Sequence, residues 1–355
     1  MAYTHTMTDI GIVGAGAGGA AAAHVLDRAL PDPSITIVEK SGGVCGRAAT
    51  RRRGDCTYDY GANYVKSDDE RVNELLTGTL DSEGLVEAEG PVYTFDREGT
   101  VSEGRDDDEH KWTYRAGLTQ IAKRLLAGTD ATVERRTRIE TVTREGGSWS
   151  LTDTDGDEWG PFDVLLLNPP APQTADLLRS ADWDAPVRAA LAEAIGAVPY
   201  RSIWTAVLHY PFEVDRPYYA LVNTDREHEV GWVSREECKP GHVPDGESLL
   251  VVQASPDWSA EHYDDPVEEN VAELVDHTTE LLDDPRLAEP DWTDHQGWRY
   301  ALPDEGVASG IVRSAEEYGL YCAGDWVAGE ARVHAALRSG LDVGERMVYA
   351  LSSGR

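Results

Sequence analysis

The sequence predicts an α/β protein of two units. One is a Rossmann-like unit on a parallel sheet, built from both ends of the chain. The other is an inserted α+β unit with a mixed or antiparallel sheet. Three observations predict this. From Ile10 to Lys40 an apolar run, a glycine turn, an Ala-rich helix and a second apolar run follow one another. Residues 181 to 290 change character, with strands such as SIWTAVLHY (202–210) and SLLVVQAS (248–255). Near the other end, LYCAGDWV (320–327) reads as a buried strand, with a helix from about Ala331 to Leu351 behind it.

The first segment reads IGIVGAGAGGAAAAHVLDRALPDPSITIVEK, with Gly14, Gly16 and Gly19 in a GxGxxG turn. The first glycine allows the tight turn, the second lets backbone approach a pyrophosphate, and the third lets helix and strand pack closely. The helix N-terminus offers free N–H groups and partial positive charge. Glu39, 20 residues after Gly19, can grip ribose hydroxyls. SGGVCGRAATRR (41–52) adds a glycine-rich loop in which Gly46 precedes Arg47, a fixed cation beside a pyrophosphate.

Residues 67 to 110 are polar, with GRDDDEH (104–110) as an exposed loop. A helix follows from Gly117 to Ala127, then strands to 145. WSLTDTDGDEW (149–159) alternates around a DG turn and predicts a hairpin. PFDVLLLNPPAPQ (161–173) is a buried strand stopped by prolines. PVEENVAELVDHTTELL (266–282) has helical apolar spacing, and strand resumes from Trp298. The nucleotide unit is therefore placed at 1–66, 111–180 and 297–355, and the substrate unit at 67–110 and 181–296.

The chain has 355 residues, 41% hydrophobic, enough for real cores. No run approaches the roughly 18 apolar residues of a membrane span. The opening MAYTHTMTDI has no secretory pattern, so a cytoplasmic location is the default expectation. Four scattered cysteines, Cys45, Cys56, Cys238 and Cys322, argue against a zinc site and a disulfide framework. Net charge is −33, and five of the 32 basic residues are lysine. The acids are spread over the whole chain, which predicts a solvated halophilic surface rather than a docking face. Nucleic acid is excluded by the same repulsion.

Asp325, in CAGDW (322–326), ends an apolar strand before a helix, where a carboxylate can reach a ribityl or phosphate group. With the loop at Arg47, this points to a flavin dinucleotide. The chain resembles the flavin amine-oxidase superfamily, and within it the renalase-like branch. VGAGAGGAAAAHVL, Glu39, GVCGRAATRR, YDYGANYV (58–65), LLLNPPAPQTADLL (165–178), SPDWSAEHY (255–263), GWRYALP (297–303) and YCAGDWVAGEARVHAALRSG (321–340) carry it, in order. The resemblance implies a Rossmann-like domain of the glutathione-reductase-like GR2 type, binding FAD non-covalently. It implies that Gly14, Gly16, Gly19, Lys40, Gly46 and Arg47 surround the phosphates, Glu39 the adenosine ribose, and Ile139 the adenine. Gly61, Ala62 and Asn63 would lie against the flavin ring. Gly324 and Asp325 would bind near the ribityl chain, and Arg332 and Val333 would start the helix facing the pyrimidine.

Asn63, Gln253, Trp298 and Tyr300 are the candidate catalytic and substrate-wall residues, and no metal is called for. Three positions depart from the family: Asn63 replaces a usual glutamine, Gln253 a usual histidine, and Cys45 a loop glycine. The implied function is an FAD-dependent oxidase. It would take a hydride from a small reduced substrate, such as dihydronicotinamide isomers of NAD(P)H, and return the electrons to oxygen. An amine oxidase or desaturase, and a non-catalytic flavin-binding redox partner, are the alternatives. Lys239, in the polar loop CKPGH, matches poorly the lysine of amine oxidases. Trp204, His209, Tyr218, Tyr219, Trp232 and Trp298 are the candidate pocket aromatics, of which two or three are expected to face the flavin and the rest to be core, with His209 and His242 as acid–base groups by type. Cys322 is read as packing, not as a flavin attachment point. Oligomeric state is left open.

Overall fold

The computed structural model describes residues 8–104 and 110–353, so 105–109 of the GRDDDEH loop lie outside the described residues. The chain begins with β1 (Asp9–Val13), α1 (Ala17–Ala29) and β2 (Ser34–Glu39), then the hairpin β3 (Thr50–Arg53) and β4 (Cys56–Asp59). Next come α2 (Glu70–Glu74), β5 (Leu85–Glu87), β6 (Val92–Phe95), β7 (Val101–Ser102) and β8 (Trp112–Tyr114). They lead to α3 (Gln120–Ala127) and β9 (Thr132–Arg135). An antiparallel trio, β10 (Ile139–Glu145), β11 (Ser148–Asp153) and β12 (Glu158–Phe162), precedes β13 (Val164–Leu167), α4 (Ala171–Ser180) and α5 (Pro186–Gly196). The middle of the chain forms β14 (Tyr200–Tyr210), β15 (Ala220–Asn223), β16 (Val230–Arg235), β17 (Ser248–Ala254), α6 (Pro256–Glu261), α7 (Val267–Leu281) and β18 (Trp292–Pro303). The last elements are α8 (Ser309–Arg313), β19 (Leu320–Cys322), α9 (Asp325–Ala328) and α10 (Val333–Ser352). Among the described residues, no helix is long and apolar enough to cross a membrane.

Two sheets dominate. The first is five-stranded, in the order β19-β13-β1-β2-β9, and every pairing is parallel. A parallel sheet is covered on both faces, which is why β13 can read VLLL and bury all of it. Residues near the amino end and residues beyond 320 thus share one sheet, one strand apart. α1 and α10 also pack together. A Cβ on Gly340 would overlap the Gly18 carbonyl, and one on Gly344 would come within 2.8 Å of Val25. Small residues bring the two backbones close, so both helix N-termini reach the same end of the sheet.

The second sheet is seven-stranded, in the order β18-β14-β17-β16-β15-β6-β7. It is mixed, because β15 pairs parallel with β6 while the other pairings are antiparallel. Trp204, Leu208, Leu221, Val233, Leu250 and Val252 pack with Leu274 and Leu281 of α7 in one core. β18 pairs with β14 as far as Pro303, so the expected unit boundary at 297 cuts through a strand.

Candidate active site

The two sheets face each other across a cleft of about 2010 Å³. Ordinary ligand pockets reach about 1,000 Å³, so there is room for a dinucleotide and a second small molecule. The cleft lies beyond the carboxyl ends of β1, β13 and β19, where open α/β sheets bind ligands. Every candidate cofactor-binding, catalytic or substrate-wall residue except Gly19 lines it: Gly14, Gly16, Glu39, Lys40, Gly46, Arg47, Gly61, Ala62, Asn63, Ile139, Gln253, Trp298, Tyr300, Gly324, Asp325, Arg332 and Val333. Gly19 lies beneath the turn, where a Cβ would overlap the Gly14 carbonyl oxygen. Gly14 itself has φ of +98°, a conformation that side chains resist.

One wall is built for anions. α1 starts after Gly16 with no side-chain cap and no acid in its first turn. α10 starts after Arg332 in the same state. Uncapped first turns leave N–H groups open to a ligand. The Glu39 carboxylate accepts from the Ala15 N–H and the Ser41 N–H, both at 2.8 Å, which fixes it at the mouth of the glycine turn. Arg47 donates to Asp325 Oδ1 at 2.7 Å and to the Ala301 carbonyl at 2.8 Å. Burial opposes the Arg47 charge, but Asp325 and Tyr200 hold its affinity for protons above the usual range. Lys40 donates to Gln173 Oε1 at 3.0 Å, and burial lowers its ammonium despite the opposing pull of Glu39.

The loop from Tyr60 to Asn63 is held from the opposite wall. Gln253 Nε2 donates to the Gly61 carbonyl at 2.7 Å. Ser234 donates to Asn63 Oδ1 at 3.2 Å, and Trp298 Nε1 donates to the Tyr60 carbonyl at 3.2 Å. A Cβ on Gly61 would overlap the Arg47 carbonyl oxygen, so this loop and the 41–52 loop touch backbone to backbone. Tyr60 stacks on Trp298, with ring centroids 5.4 Å apart, and the Arg51 guanidinium lies 4.2 Å above the Tyr60 ring. Tyr300 meets Tyr200 edge-on at 5.8 Å.

Other expectations are corrected. Of the six pocket aromatics, Trp232 and Trp298 line the cleft, whereas Trp204, His209, Tyr218 and Tyr219 are buried elsewhere. His242 is also away from the cleft. It is fully buried, with Nδ1 2.9 Å from Glu236 Oε2 and Nε2 2.9 Å from the Tyr114 carbonyl. Lys239 does not sit in an exposed polar loop. It is fully buried, 2.7 Å from Glu236 Oε1 and 3.2 Å from Asp59 Oδ2. Burial works against both charges. Yet Glu236, Tyr219 and Asp59 keep Lys239 above the ordinary ammonium range, and Lys239 and His242 keep Asp59 below the ordinary carboxylate range.

Sequence reasoning missed Asn168, whose Nδ2 donates to the Gly14 carbonyl at 3.3 Å. Its signal was its place directly after the buried VLLL strand, at the carboxyl edge of a parallel sheet. It also missed Tyr60 and Tyr64, which line the cleft within the YDYGANYV motif.

Open helix N-termini, the Glu39 and Asp325 carboxylates, the Arg47 guanidinium and a glycine cradle fit the phosphates, ribose and ring of a flavin dinucleotide. Comparison with known proteins agrees. A model of NAD(P)-binding Rossmann-like domains matches residues 12–78, and the model of flavin-containing amine oxidoreductases matches residues 87–348. The chain belongs to the flavin-containing amine oxidoreductase family and is an FAD-dependent oxidoreductase. Among solved structures it is similar to a candidate protoporphyrinogen oxidase from Exiguobacterium sp. 255-15, with 15% identity, 97% of this chain and 99% of that one covered, and a TM-score of 0.80. It is similar to cyclohexylamine oxidase from Brevibacterium oxydans IH-35A, with 13% identity, 98% and 100% coverage and a TM-score of 0.73. Putrescine oxidase bound to putrescine follows at 12% identity, 98% and 99% coverage and a TM-score of 0.70. At these identities the likeness is one of fold.

Proposed function

We propose that this member of the flavin-containing amine oxidoreductase family is a renalase-like oxidase of a small, flat, reduced substrate, with dihydronicotinamide isomers as the substrate class. Gly14, Gly16, Gly19 and the N-terminus of α1 would hold the pyrophosphate, Gly46 and Arg47 would neutralise it, and Lys40 would flank it. Glu39 would take the adenosine ribose, Ile139 the adenine, Gly324 and Asp325 the ribityl chain. Gly61, Ala62 and Asn63 would bear on the flavin ring, and Arg332 and Val333 would aim α10 at its pyrimidine side, where negative charge grows on reduction. Held there without a covalent bond, FAD would supply the hydride-accepting chemistry, with oxygen as the final electron acceptor.

The observation that carries the substrate reading is the aromatic wall. Trp298, Trp232, Tyr60, Tyr64 and Tyr300 all line the cleft. Flat apolar faces there would stack a planar ring and keep water from it. Gln253 would act through the Gly61 carbonyl, fixing how the 61–63 loop meets the flavin. Lys239 is clasped by two buried carboxylates and does not line the cleft, so it offers nothing to hold a water beside the flavin.

A second reading, oxidation of a small amine, is favoured by the family and by the putrescine and cyclohexylamine oxidases of like fold. Anaerobic mixing decides between them. Flavin absorbance should bleach with a dihydronicotinamide isomer and recover on admitting oxygen. Bleaching by putrescine or cyclohexylamine, with none by any dihydronicotinamide, would replace the first reading with the second.

A further inference from the structure

Two clusters, one buried and one partly buried, lie outside the cleft, and the same question separates them. In each, three groups of metal-ligating type place one ligand atom apiece within 4.8 Å of one another. The first is Asp59, Glu236 and His242. There the Lys239 ammonium, 2.7 and 3.2 Å from the two carboxylates, already supplies the cation. The second is Cys56, His209 and Glu247, and among the described residues no lysine or arginine pairs with Glu247.

His209 makes the second cluster informative. Its ring is 5% exposed and stacks on Trp292 at 4.9 Å and 8°, so its orientation is fixed. Nε2 lies 2.9 Å from Glu247 Oε2. Nδ1 lies 3.5 Å from Asp291 Oδ2, yet makes no hydrogen bond in that arrangement and is buried. An Nε2–H donating to Glu247 accounts for the 2.9 Å contact and leaves the buried Nδ1 without a partner; a metal ion on Nε2 would replace that proton and let Nδ1 turn its hydrogen to Asp291. The Cys56 sulfur stands within 4.8 Å of them, and the residue is 4% exposed. Metal-ligating histidines are commonly oriented by a carboxylate on the other nitrogen, and Asp291 Oδ2, 3.5 Å from Nδ1, is the carboxylate within reach.

We propose that Cys56 Sγ, His209 Nε2 and Glu247 bind a zinc ion, with Asp291 orienting the histidine and the fourth position open to solvent. Sulfur, nitrogen and oxygen donors in one small site suit zinc above harder cations. Zinc–ligand bonds of about 2.0–2.3 Å require the His209–Glu247 pair, now 2.9 Å apart, to open slightly around the ion while the Cys56 sulfur closes on it. Binding would release the Cys56 thiol proton and the proton held between His209 and Glu247, and no electrons move. The Glu247 side chain is 36% exposed, which gives the ion a way in. The ion would fasten the start of β4 to the seven-stranded sheet, since His209 is on β14 and Glu247 directly precedes β17. The ligands are 153 and 38 residues apart in sequence, so no motif announces them.

The test uses the full chain loaded with FAD and stripped of metal. Cobalt(II) is added as the probe, because surface carboxylates bind it without the near-ultraviolet absorption that thiolate ligation produces. One equivalent should produce that absorption, zinc should displace it, and zinc should slow modification of Cys56 by a thiol reagent at least tenfold. Cys56→Ala and Glu247→Gln should each weaken or remove the absorption, while Cys238→Ala retains it. Glu247→Gln keeps the thiol and the fold testable should Cys56→Ala prove unstable. No thiolate absorption in the wild type, or thiol reactivity unchanged by zinc, would overturn the proposal.

Discussion

At the scale of single residues, the buried quartet Asp59, Glu236, Lys239 and His242 shows how burial and charge are reconciled. The Tyr114 carbonyl can only accept, so His242 Nε2 donates to it, while Nδ1 lies 2.9 Å from Glu236 Oε2. The Lys239 ammonium lies within 3.2 Å of both carboxylates. Thr50 and Thr113 hydroxyls and the Leu118 N–H satisfy Asp59 further. Lys239→Met would leave two uncompensated buried carboxylates. The expected cost is about 3–5 kcal/mol in urea unfolding, as for other broken buried pairs. A cost below about 1 kcal/mol would show the lysine to be dispensable. The depressed Asp59 carboxyl has a pH signature. Its stabilisation is complete above the unfolded value of about 3.9 and is lost as pH falls toward the lower folded value. Subtracting the acid-unfolding curve of Asp59→Asn from that of the wild type should isolate this loss below about pH 4. The sequence hid the quartet, because CKPGH has the composition of a solvent loop and its partner Asp59 is 180 residues away.

At the scale of elements, legibility followed local pattern. The βαβ start, the DG hairpin, β13, β14, β17 and α7 are each written in a few adjacent residues, and the structure contains all of them. β18 was misjudged for a physical reason. It is an edge strand, half-exposed along most of its length, and its first residues, WTDHQ, carry no apolar alternation. β6 and β7 were hidden in the polar 67–110 stretch in the same way. The most consequential contact between elements joins β17 to the loop after β4, through Gln253 and the Gly61 carbonyl. Gln253→Leu removes the donor and leaves that carbonyl unpaired, at a cost of about 1–3 kcal/mol. Weaker FAD binding with a shifted flavin visible spectrum is the expected result. An unchanged spectrum and affinity would reduce the bond to packing.

At the scale of the molecule, chain ends more than 300 residues apart build one wall of the cleft, and the inserted sheet builds the other. The glycine turn, Glu39, Arg47 and Asp325 were legible because a dinucleotide site needs particular residue types at particular spacings. The opposite wall was only partly legible, because aromatics on strands look alike whether they face a core or a cleft. The central claim is that the two ends cradle FAD through Arg47, which is paired with Asp325, and through Glu39. The most direct measurement is titration of the FAD-stripped protein with FAD, followed by flavin fluorescence, for wild type and Arg47→Ala. One FAD per chain, with affinity falling about tenfold or more in the variant, is the predicted result. Equal affinity in the two proteins, or a wild type that takes up no FAD, would contradict it.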